Sequence, residues 1–255
     1  MIQLNTQREG QGPIVVLSHA LGCDLHMWDG VAALLARTHT VLRYDHRNHG
    51  GSPVVTGALS MQTLAQDAAA LIEREAGGVP VHFVGLSMGG MTAQALAVLR
   101  PDLLASVVIA NSSGHYPDQA PWQARVTTVR AQGIAAIAPG AVARWLTPDF
   151  AATPEGAARA KALHDTLVAT DPEGYIASCQ AVASIDFRES NRHITRPTLV
   201  IAGTRDEATP PAMSEAMVAA IPGARLATIE AAHLSAVERP AEFVQLLQGF
   251  YAAQR

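Results

Sequence analysis

The junction at residues 85–89 constrains the fold of this chain more than any other stretch. An apolar run that ends at Val84 predicts a short buried strand, and the residues from Met88 onward have helical periodicity. Between them lies Gly85-Leu86-Ser87-Met88-Gly89, a G-x-S-x-G sequence. At a strand-to-helix junction this pattern is typical of a sharp turn that presents the serine hydroxyl at the sheet edge. Ser87 is therefore a candidate nucleophile, and the N-terminus of the following helix would favour an oxyanion beside it.

Short apolar runs alternate with helical segments on both sides of this junction. The predicted strands are Ile2–Leu4, Ile14–Ser18, Val41–Tyr44, Val81–Val84, Val107–Ala110, Thr198–Ala202 and Arg225–Ile229. The predicted helices are Trp28–Ala36, one capped by Ser60 that runs to about Glu75, Met88–Arg100, Pro211–Ala220 and Ala241–Ala252. Continuous apolar strands are typical of a parallel sheet that helices cover on both faces. We therefore expect an α/β fold with a mostly parallel central sheet of seven or eight strands.

The pattern changes between residues 113 and 195. Short alanine-rich helical segments, separated by prolines, replace the alternation of strands and helices, and no convincing strand is present. We expect residues 1–112 and 196–255 to form the core, and residues 113–195 to form a helical cap over the active site.

Composition excludes several classes of function. A chain of 255 residues is long enough for a core that needs no disulfides, so Cys23 and Cys179 are expected to be free thiols in a reducing compartment. The net charge is -4 and the basic residues are scattered, which excludes a nucleic-acid interface. With no signal-peptide pattern and no apolar run that could span a bilayer, we expect a cytoplasmic protein without membrane partners, either a monomer or a small homo-oligomer.

A serine hydroxyl becomes nucleophilic when a histidine, oriented by an acid, removes its proton. Asp206 follows one predicted strand and His233 follows the next, so both lie at the same sheet edge as Ser87. The order Ser, Asp, His along the chain is that of one known type of catalytic triad. Taken singly, each of the three residues has a plainer interpretation: a serine often caps a helix, and an aspartate often forms a turn. Glu207 and Glu230 are rival acids, ranked below Asp206.

The chain resembles the α/β hydrolases over nearly its whole length. Within that superfamily it is most similar to the 3-oxoadipate enol-lactonases, with esterases and cofactor-free haloperoxidases as further relatives. Seven stretches carry the resemblance: residues 15–28, 41–50, 83–91, 144–150, 174–179, 197–211 and 231–240. The resemblance implies an α/β-hydrolase fold, no cofactor, and a small-molecule ester or lactone as substrate.

Site residues follow by position from this resemblance. Ser87 would be the nucleophile, His233 the general base and then acid, and Asp206 the orienting acid. The backbone N–H groups of Leu21 and Met88 would form the oxyanion hole. Ser87 would attack the carbonyl to form an acyl-enzyme, which water activated by His233 would hydrolyse.

Two positions depart from the pattern of the relatives. The oxyanion loop contains Ala20 where relatives usually have glycine or serine, so a positive φ would be disfavoured there. Asn48 replaces a glycine in a later turn, and asparagine tolerates left-handed backbone best among the other residues. One edge strand of the usual eight is also expected to be missing.

Residues of the predicted cap must select the substrate. The enol-lactone of the resembling family carries a carboxylate, so Arg144 is the candidate that binds it, with Trp122 and Trp145 as apolar walls. The alternative is that Arg144 is solvated and that the two tryptophans belong to the core of the cap.

The sequence also contains residues of the types that bind metals, and other functions fit parts of it. Asp45, His46, His49 and His115 suggest metal ligands, but no metal is expected because the aspartate-arginine turn is structural in the resembling fold and serine catalysis needs none. The competing functions are a promiscuous short-acyl carboxylesterase with haloperoxidase-like perhydrolysis, a carbon-carbon hydrolase of ring-cleavage products, and a non-catalytic binding module.

Overall fold

The computed structural model describes residues 2–254, which form a seven-stranded sheet with helices on both faces. The strands are β1 (Thr6–Glu9), β2 (Ile14–Ser18), β3 (Thr40–Tyr44), β4 (Val81–Leu86), β5 (Leu104–Ala110), β6 (Thr198–Gly203) and β7 (Arg225–Ile229). Their order across the sheet is β1-β3-β2-β4-β5-β6-β7. All neighbouring pairs are parallel except β1 and β3. The expected α/β architecture with seven strands is confirmed.

The helices alternate with these strands, apart from five that follow β5. They are α1 (Asp29–Leu35), α2 (Met61–Ala76), α3 (Met88–Leu99), α4 (Ala120–Gln132), α5 (Ala138–Trp145), α6 (Pro148–Ala151), α7 (Pro154–Ala169), α8 (Pro172–Ala183), α9 (Pro211–Ala220), α10 (Ser235–Glu238) and α11 (Pro240–Ala252). The predicted N-cap is confirmed, since the Ser60 hydroxyl accepts a hydrogen bond from the Thr63 N–H at 3.1 Å. No helix in residues 2–254 is long and apolar enough to cross a membrane.

The first strand lies later in the chain than the sequence predicts. The predicted strand at Ile2–Leu4 is wrong, because β1 covers Thr6–Glu9 and pairs with β3 in antiparallel register. An edge strand has a partner on one side only, so it needs no apolar run to mark it. Its polar side chains instead bind the neighbouring strand: Gln7 and Glu9 accept hydrogen bonds from Arg43 at 2.7 and 2.9 Å.

The central strands separate two apolar clusters, one on each face of the sheet. Val15 and Leu17 of β2 belong to one cluster, where the rings of Trp28 and Phe243 lie 5.8 Å apart, and Val16 belongs to the other. Successive side chains of a strand point to opposite faces, so the uninterrupted apolar run of β2 serves both clusters. Cys23 and Cys179 are buried free thiols.

Helices α4 to α8 all lie between β5 and β6. Within the segment 113–195, which we call the insertion, the structure has only one isolated antiparallel bridge, between His115 and Asp186, and no strand. Helix α4 packs on α8, and α5 packs on α7. The insertion and the carboxyl ends of the strands line a common cavity, described below.

Candidate active site

Ser87 occupies a strained turn between β4 and α3. Its backbone has φ 58° and ψ −115°, a combination that non-glycine residues seldom adopt. The flanking glycines make the turn possible by allowing close approach of the backbone. A Cβ atom on Gly85 would lie 2.0 Å from the Gly89 carbonyl oxygen, and one on Gly89 would lie 2.1 Å from the carbonyl oxygen of Ser18. Neither position therefore accepts a side chain.

The structure brings Ser87, His233 and Asp206 together, although 146 positions separate Ser87 from His233. His233 Nε2 lies 2.9 Å from Ser87 Oγ, and His233 Nδ1 lies 2.9 Å from Asp206 Oδ2. A carboxylate can only accept, so Nδ1 carries the imidazole proton and Nε2 is free to accept the proton of the serine hydroxyl. This arrangement can raise the nucleophilicity of a serine.

Asp206 is buried and fully hydrogen bonded. Its Oδ1 accepts from the N–H groups of Ala208 and Thr209 at 2.8 and 2.9 Å. Its Oδ2 accepts from His233, from Thr209 Oγ1 at 2.8 Å and from Asn111 Nδ2 at 3.0 Å. Burial by itself raises the pKa of this carboxyl, but the neighbouring His233 and the hydrogen bonds outweigh it and lower the pKa to about 2. Asp206 is thus held as a carboxylate.

Asn111 and Thr209 are site residues that sequence reasoning missed. Asn111 has φ 44° and follows β5 directly, so it lies at the same sheet edge as the other strand-end residues. Its amide donates to Asp206 and, at 3.2 Å, to the Ala232 carbonyl. Thr209 stands three residues after Asp206, and such spacing allows an aspartate to accept from backbone N–H groups ahead of it. Both signals were present in the sequence.

The rival acids take no part in this hydrogen-bonded chain. The structure exposes Glu207 at the rim of the cavity beside Ser87, and it exposes Glu230 beyond the end of β7. The backbone carbonyl of Glu230, and not its carboxylate, accepts a hydrogen bond from Arg239 Nε at 3.3 Å. His233 Nδ1 is bonded to Asp206 instead.

The loop after β2 and the first residue of α3 supply the two candidate oxyanion donors. In the loop after β2, the N–H of Ala20 donates to Met27 Sδ at 3.3 Å, and that of Gly22 donates to His49 Nε2 at 3.0 Å. Within residues 2–254, no protein acceptor binds the N–H of Leu21 or of Met88. Such free donors can bind an oxyanion.

The two positions that depart from the pattern of the relatives, Ala20 and Asn48, both have backbone conformations that suit their side chains. In the described chain, positive φ among non-glycine residues occurs at Asn48, Ser87 and Asn111, so Ala20 has the negative φ that its side chain prefers. Asn48 has φ 68°, the left-handed conformation expected of it. Its Oδ1 also accepts from the Val55 N–H at 2.7 Å, which holds the turn.

Histidines that contact β2 and the loop after it act as neutral hydrogen-bonding groups. His49 Nε2 accepts from Gly22, and His46 Nε2 lies 2.9 Å from Ser18 Oγ. Burial and the other histidines of this group lower the pKa of His46 well below its usual value, and they lower that of His49 to about 3. Asp45 accepts from the N–H groups of Leu25 and Gly51. Among the described residues, His115 included, no group of three or more potential ligands is arranged to hold a metal ion.

A cavity of about 380 Å³ opens above Ser87 and His233. The core side of its lining includes both residues and Leu21. The insertion supplies Tyr116, Asp118, Pro121, Trp122, Arg125 and Arg144. Two of the three predicted substrate contacts, Trp122 and Arg144, therefore face the cavity. Trp145 lies elsewhere, buried in the apolar cluster and outside the lining, since neighbouring residues of a helix point in different directions.

Arg125 is a cavity residue that the sequence did not single out. Its guanidinium carbon lies 4.9 Å from the centre of the Trp122 ring, and its Nη1 donates to the Tyr175 hydroxyl at 3.4 Å. Arg144 is exposed and pairs with no other described residue. Of the two arginines described in the lining, Arg125 is thus held in place and Arg144 is free.

The chain is similar in sequence and in structure to several known proteins. A sequence profile of the alpha/beta hydrolase fold family matches residues 13–240. The 3-oxoadipate enol-lactonase 2 of Acinetobacter baylyi is 36% identical, over 95% of this chain and 90% of its own. The crystal structure of an enol-lactonase from Burkholderia xenovorans LB400 has a TM-score of 0.92 at 34% identity, covering 98% and 96% of the two chains. A thermophilic esterase from Thermogutta terrifontis has a TM-score of 0.91 at 27% identity, covering 99% and 94%.

Proposed function

Because the chain belongs to the α/β-hydrolase fold family, we propose that it hydrolyses a carboxylic ester bond of a small molecule, with Ser87, His233 and Asp206 as its catalytic triad. One observation carries the proposal: hydrogen bonds of 2.9 Å link Ser87 Oγ through His233 to Asp206. The free N–H groups of Leu21 and Met88 support it, because acyl transfer requires donors at the developing oxyanion. A non-catalytic binding module would not need this alignment.

The reaction would proceed in two steps. Ser87 Oγ attacks the carbonyl carbon while His233 Nε2 takes its proton, and Asp206 stabilises the resulting imidazolium. The oxyanion accepts hydrogen bonds from Leu21 and Met88, each worth about 3 kcal/mol of barrier. His233 then protonates the leaving oxygen, and an acyl-enzyme remains. In the second step His233 activates water, which releases the acid and restores the Ser87 hydroxyl.

For the substrate, we propose a compact lactone that carries a carboxylate, as in 3-oxoadipate enol-lactone. The support is the similarity to the two enol-lactonases and the placement of Arg125 and Arg144 in the lining of the cavity. A guanidinium can bind a carboxylate through two parallel hydrogen bonds. The insertion would act as the cap that encloses the lactone ring.

One feature of the same lining favours the alternative, a short-acyl carboxylesterase. Asp118 and Glu207 also line the cavity, so two formal negative charges balance the two arginines. A lining without net charge suits a neutral ester as well as an anion. The similarity to the thermophilic esterase agrees with this alternative.

A rate comparison tests both proposals. The purified protein is assayed with 3-oxoadipate enol-lactone, a short p-nitrophenyl ester and a long one, alongside Ser87→Ala. Ser87→Ala is expected to lower kcat by at least about 10⁴-fold and to keep the thermal transition, because it removes only the nucleophile. A fully active Ser87→Ala would refute the triad.

The substrate proposal depends on the ranking of the substrates. If kcat/KM for the lactone exceeds that for the short ester by orders of magnitude, the anionic lactone is supported. If the short ester equals or exceeds the lactone, the protein is a carboxylesterase and the lactone proposal is wrong.

A further inference from the structure

One buried carboxylate contacts the residue before His233 and has no role in the mechanism above. Glu238 is the last residue of α10 and is only 4% exposed. Its Oε2 accepts from the Thr147 N–H at 3.0 Å and from the Ala232 N–H at 3.3 Å, and its Oε1 accepts from the Thr147 hydroxyl. Within the described chain it forms no ion pair. Burying a carboxylate without an ion pair or hydrogen-bond donors costs free energy. These three donors therefore determine the position of the Glu238 side chain.

A second hydrogen bond links the same two segments. The N–H of Leu234 donates to the carbonyl oxygen of Trp145 at 2.8 Å. Residues 232 and 234, on either side of His233, are therefore both connected to residues 145–147 of the insertion. We call Trp145, Thr147, Ala232, Leu234 and Glu238 the cap clamp.

The core holds the same stretch from the opposite side. The carbonyl oxygen of Ala232 accepts from Asn111 Nδ2 at 3.2 Å, and Asn111 Oδ1 accepts from the Ser235 hydroxyl at 2.6 Å. The backbone that carries His233 is thus fixed between the sheet and the insertion. Loss of the cap clamp would leave the core contacts alone to hold it.

We propose that Glu238 is a positioning residue that keeps His233 aligned between Ser87 and Asp206, and that it makes this alignment depend on where the insertion holds Thr147. The inference rests on the proposed function, because it requires His233 to be the general base. A shift of about 1 Å in such a group can lower the rate about 100-fold. Arg144 lines the cavity and is the residue next to Trp145. A ligand that binds Arg144 would therefore lie next to the cap clamp.

The test uses variants that remove or keep the hydrogen bond from the Thr147 hydroxyl to Glu238. Thr147→Val removes the hydroxyl, and Thr147→Ser retains it. Thr153→Val is the matched control, because both threonine hydroxyls cap a helix of the insertion: Thr147 accepts from the Phe150 N–H at 3.3 Å, and Thr153 accepts from the Gly156 N–H at 3.0 Å. Thr153 has no hydrogen bond to Glu238. Glu238→Ala removes all three contacts, whereas Glu238→Gln keeps a carbonyl oxygen for the two N–H groups and an NH₂ that can donate to the Thr147 hydroxyl.

Two readouts separate alignment from simple stability. The first is the rate at which a small fluorophosphonate labels the protein: Ser87 Oγ bonds to phosphorus, fluoride leaves, and His233 takes the serine proton. The second is the division between kcat and KM with a short p-nitrophenyl ester. Both are expressed per folded molecule, with the folded fraction measured by circular dichroism.

Thr147→Val is expected to lower kcat and the labelling rate about tenfold, with KM changed less than twofold, because alignment rather than binding is lost. Thr147→Ser should restore both rates to within about twofold and Thr153→Val should match wild type, because the hydrogen bond to Glu238 is intact in each. Glu238→Ala should lower kcat and the labelling rate about 100-fold, and Glu238→Gln should lower them less than fivefold.

The proposal is overturned if Thr147→Val and Glu238→Ala react at the wild-type rate per folded molecule, or if only KM rises. Should Glu238→Ala fail to fold, Thr147→Val decides alone, because it removes a single hydroxyl. Ser87→Ala reports on the proposed function separately. If Ser87→Ala is still labelled at the wild-type rate, the triad is refuted. If it is inert while the clamp variants are unaffected, only the positioning role fails.

Discussion

The two sides of the cavity are held in place very differently. On the core side, Asp206 accepts five hydrogen bonds and His233 is bonded through both ring nitrogens. On the insertion side, Arg144 is exposed and pairs with no described residue, and Arg125 lies over Trp122 with one long hydrogen bond. The side chains of the proposed triad are therefore held in one arrangement, as the proposed reaction requires. The two arginines of the insertion have few contacts, so their replacement should cost the fold little.

Substitution of the acid tests the core side most severely. Asp206→Asn is expected to lower kcat about 10⁴-fold, because an amide NH₂ facing Nδ1 favours the wrong tautomer of His233. The measurement is kcat with the best substrate from the rate comparison. Glu230→Gln is the control and should stay within about twofold. A large loss in Glu230→Gln with little effect in Asp206→Asn would reverse the assignment of the acid.

A second prediction concerns how little room the core leaves at the turn of Ser87. Gly89→Ala would place a Cβ 2.1 Å from the Ser18 carbonyl oxygen, so strand and helix must separate. We expect a loss of several kcal/mol in the free energy of unfolding, measured by urea denaturation. Gly249→Ala, in α11, is the control, because its Cβ would meet nothing within 4 Å. Equal stability of the two variants would contradict the close approach at the turn.

The insertion side should respond more weakly and only in substrate binding. Arg144→Gln and Arg125→Gln are each expected to raise KM for the anionic lactone about tenfold, with kcat changed little, because a charge-assisted hydrogen bond is worth about 1.5 kcal/mol. KM for the neutral short ester should not change. Arg130→Gln, on α4 but outside this cavity, is the control. An equal change in KM for both substrates would show that neither arginine selects an anion.

The smallest effect is on stability against acid. Burial and the neighbouring His39 lower the pKa of the partly buried His82 on β4 to about 4, and burial lowers that of His49 to about 3. The unfolded chain takes up protons on these groups below about pH 6.5, and the folded chain does so only nearer pH 3 to 4. Their contribution to stability is therefore complete above pH 6.5 and declines as the pH falls toward 4.

Thermal denaturation between pH 7 and 4.5 measures this decline. His82→Gln should reduce the fall in Tm across this range, because it removes one group that titrates differently in the two states. His193→Gln, at an exposed position between α8 and β6, is the control for the loss of one histidine. An unchanged slope in His82→Gln would exclude His82 as a source of the acid sensitivity.

Much of the fold and of the candidate site could be predicted from sequence because their signals are local. The strands β2 and β7 and the helix α9 have the predicted bounds, since apolar runs and proline positions mark them directly. The strand ends that carry Ser87, Asp206 and His233 could be placed together because the carboxyl ends of parallel strands share one edge.

Other features depend on contacts between distant residues and left no such signal. Glu238 and Thr147 are 91 positions apart, and nothing in either segment marks the other as its partner. Trp145 was expected at the cavity, but the packing of α5 buries it and leaves Arg144 facing the cavity. The position of β1 in the chain is determined by its pairing with β3, and not by the apolar residues that precede it.

By itself, then, the sequence determined the α/β class, the turn at Ser87 and the order of the three strand-end residues. These follow from periodicity, from glycine at two crowded positions and from the geometry of a parallel sheet. Only the tertiary structure decided which side chains hold Asp206 and His233, and which insertion residues face the cavity. The physical reason is that a buried hydrogen bond or a packed face depends on two segments meeting in space, and local sequence describes each segment alone.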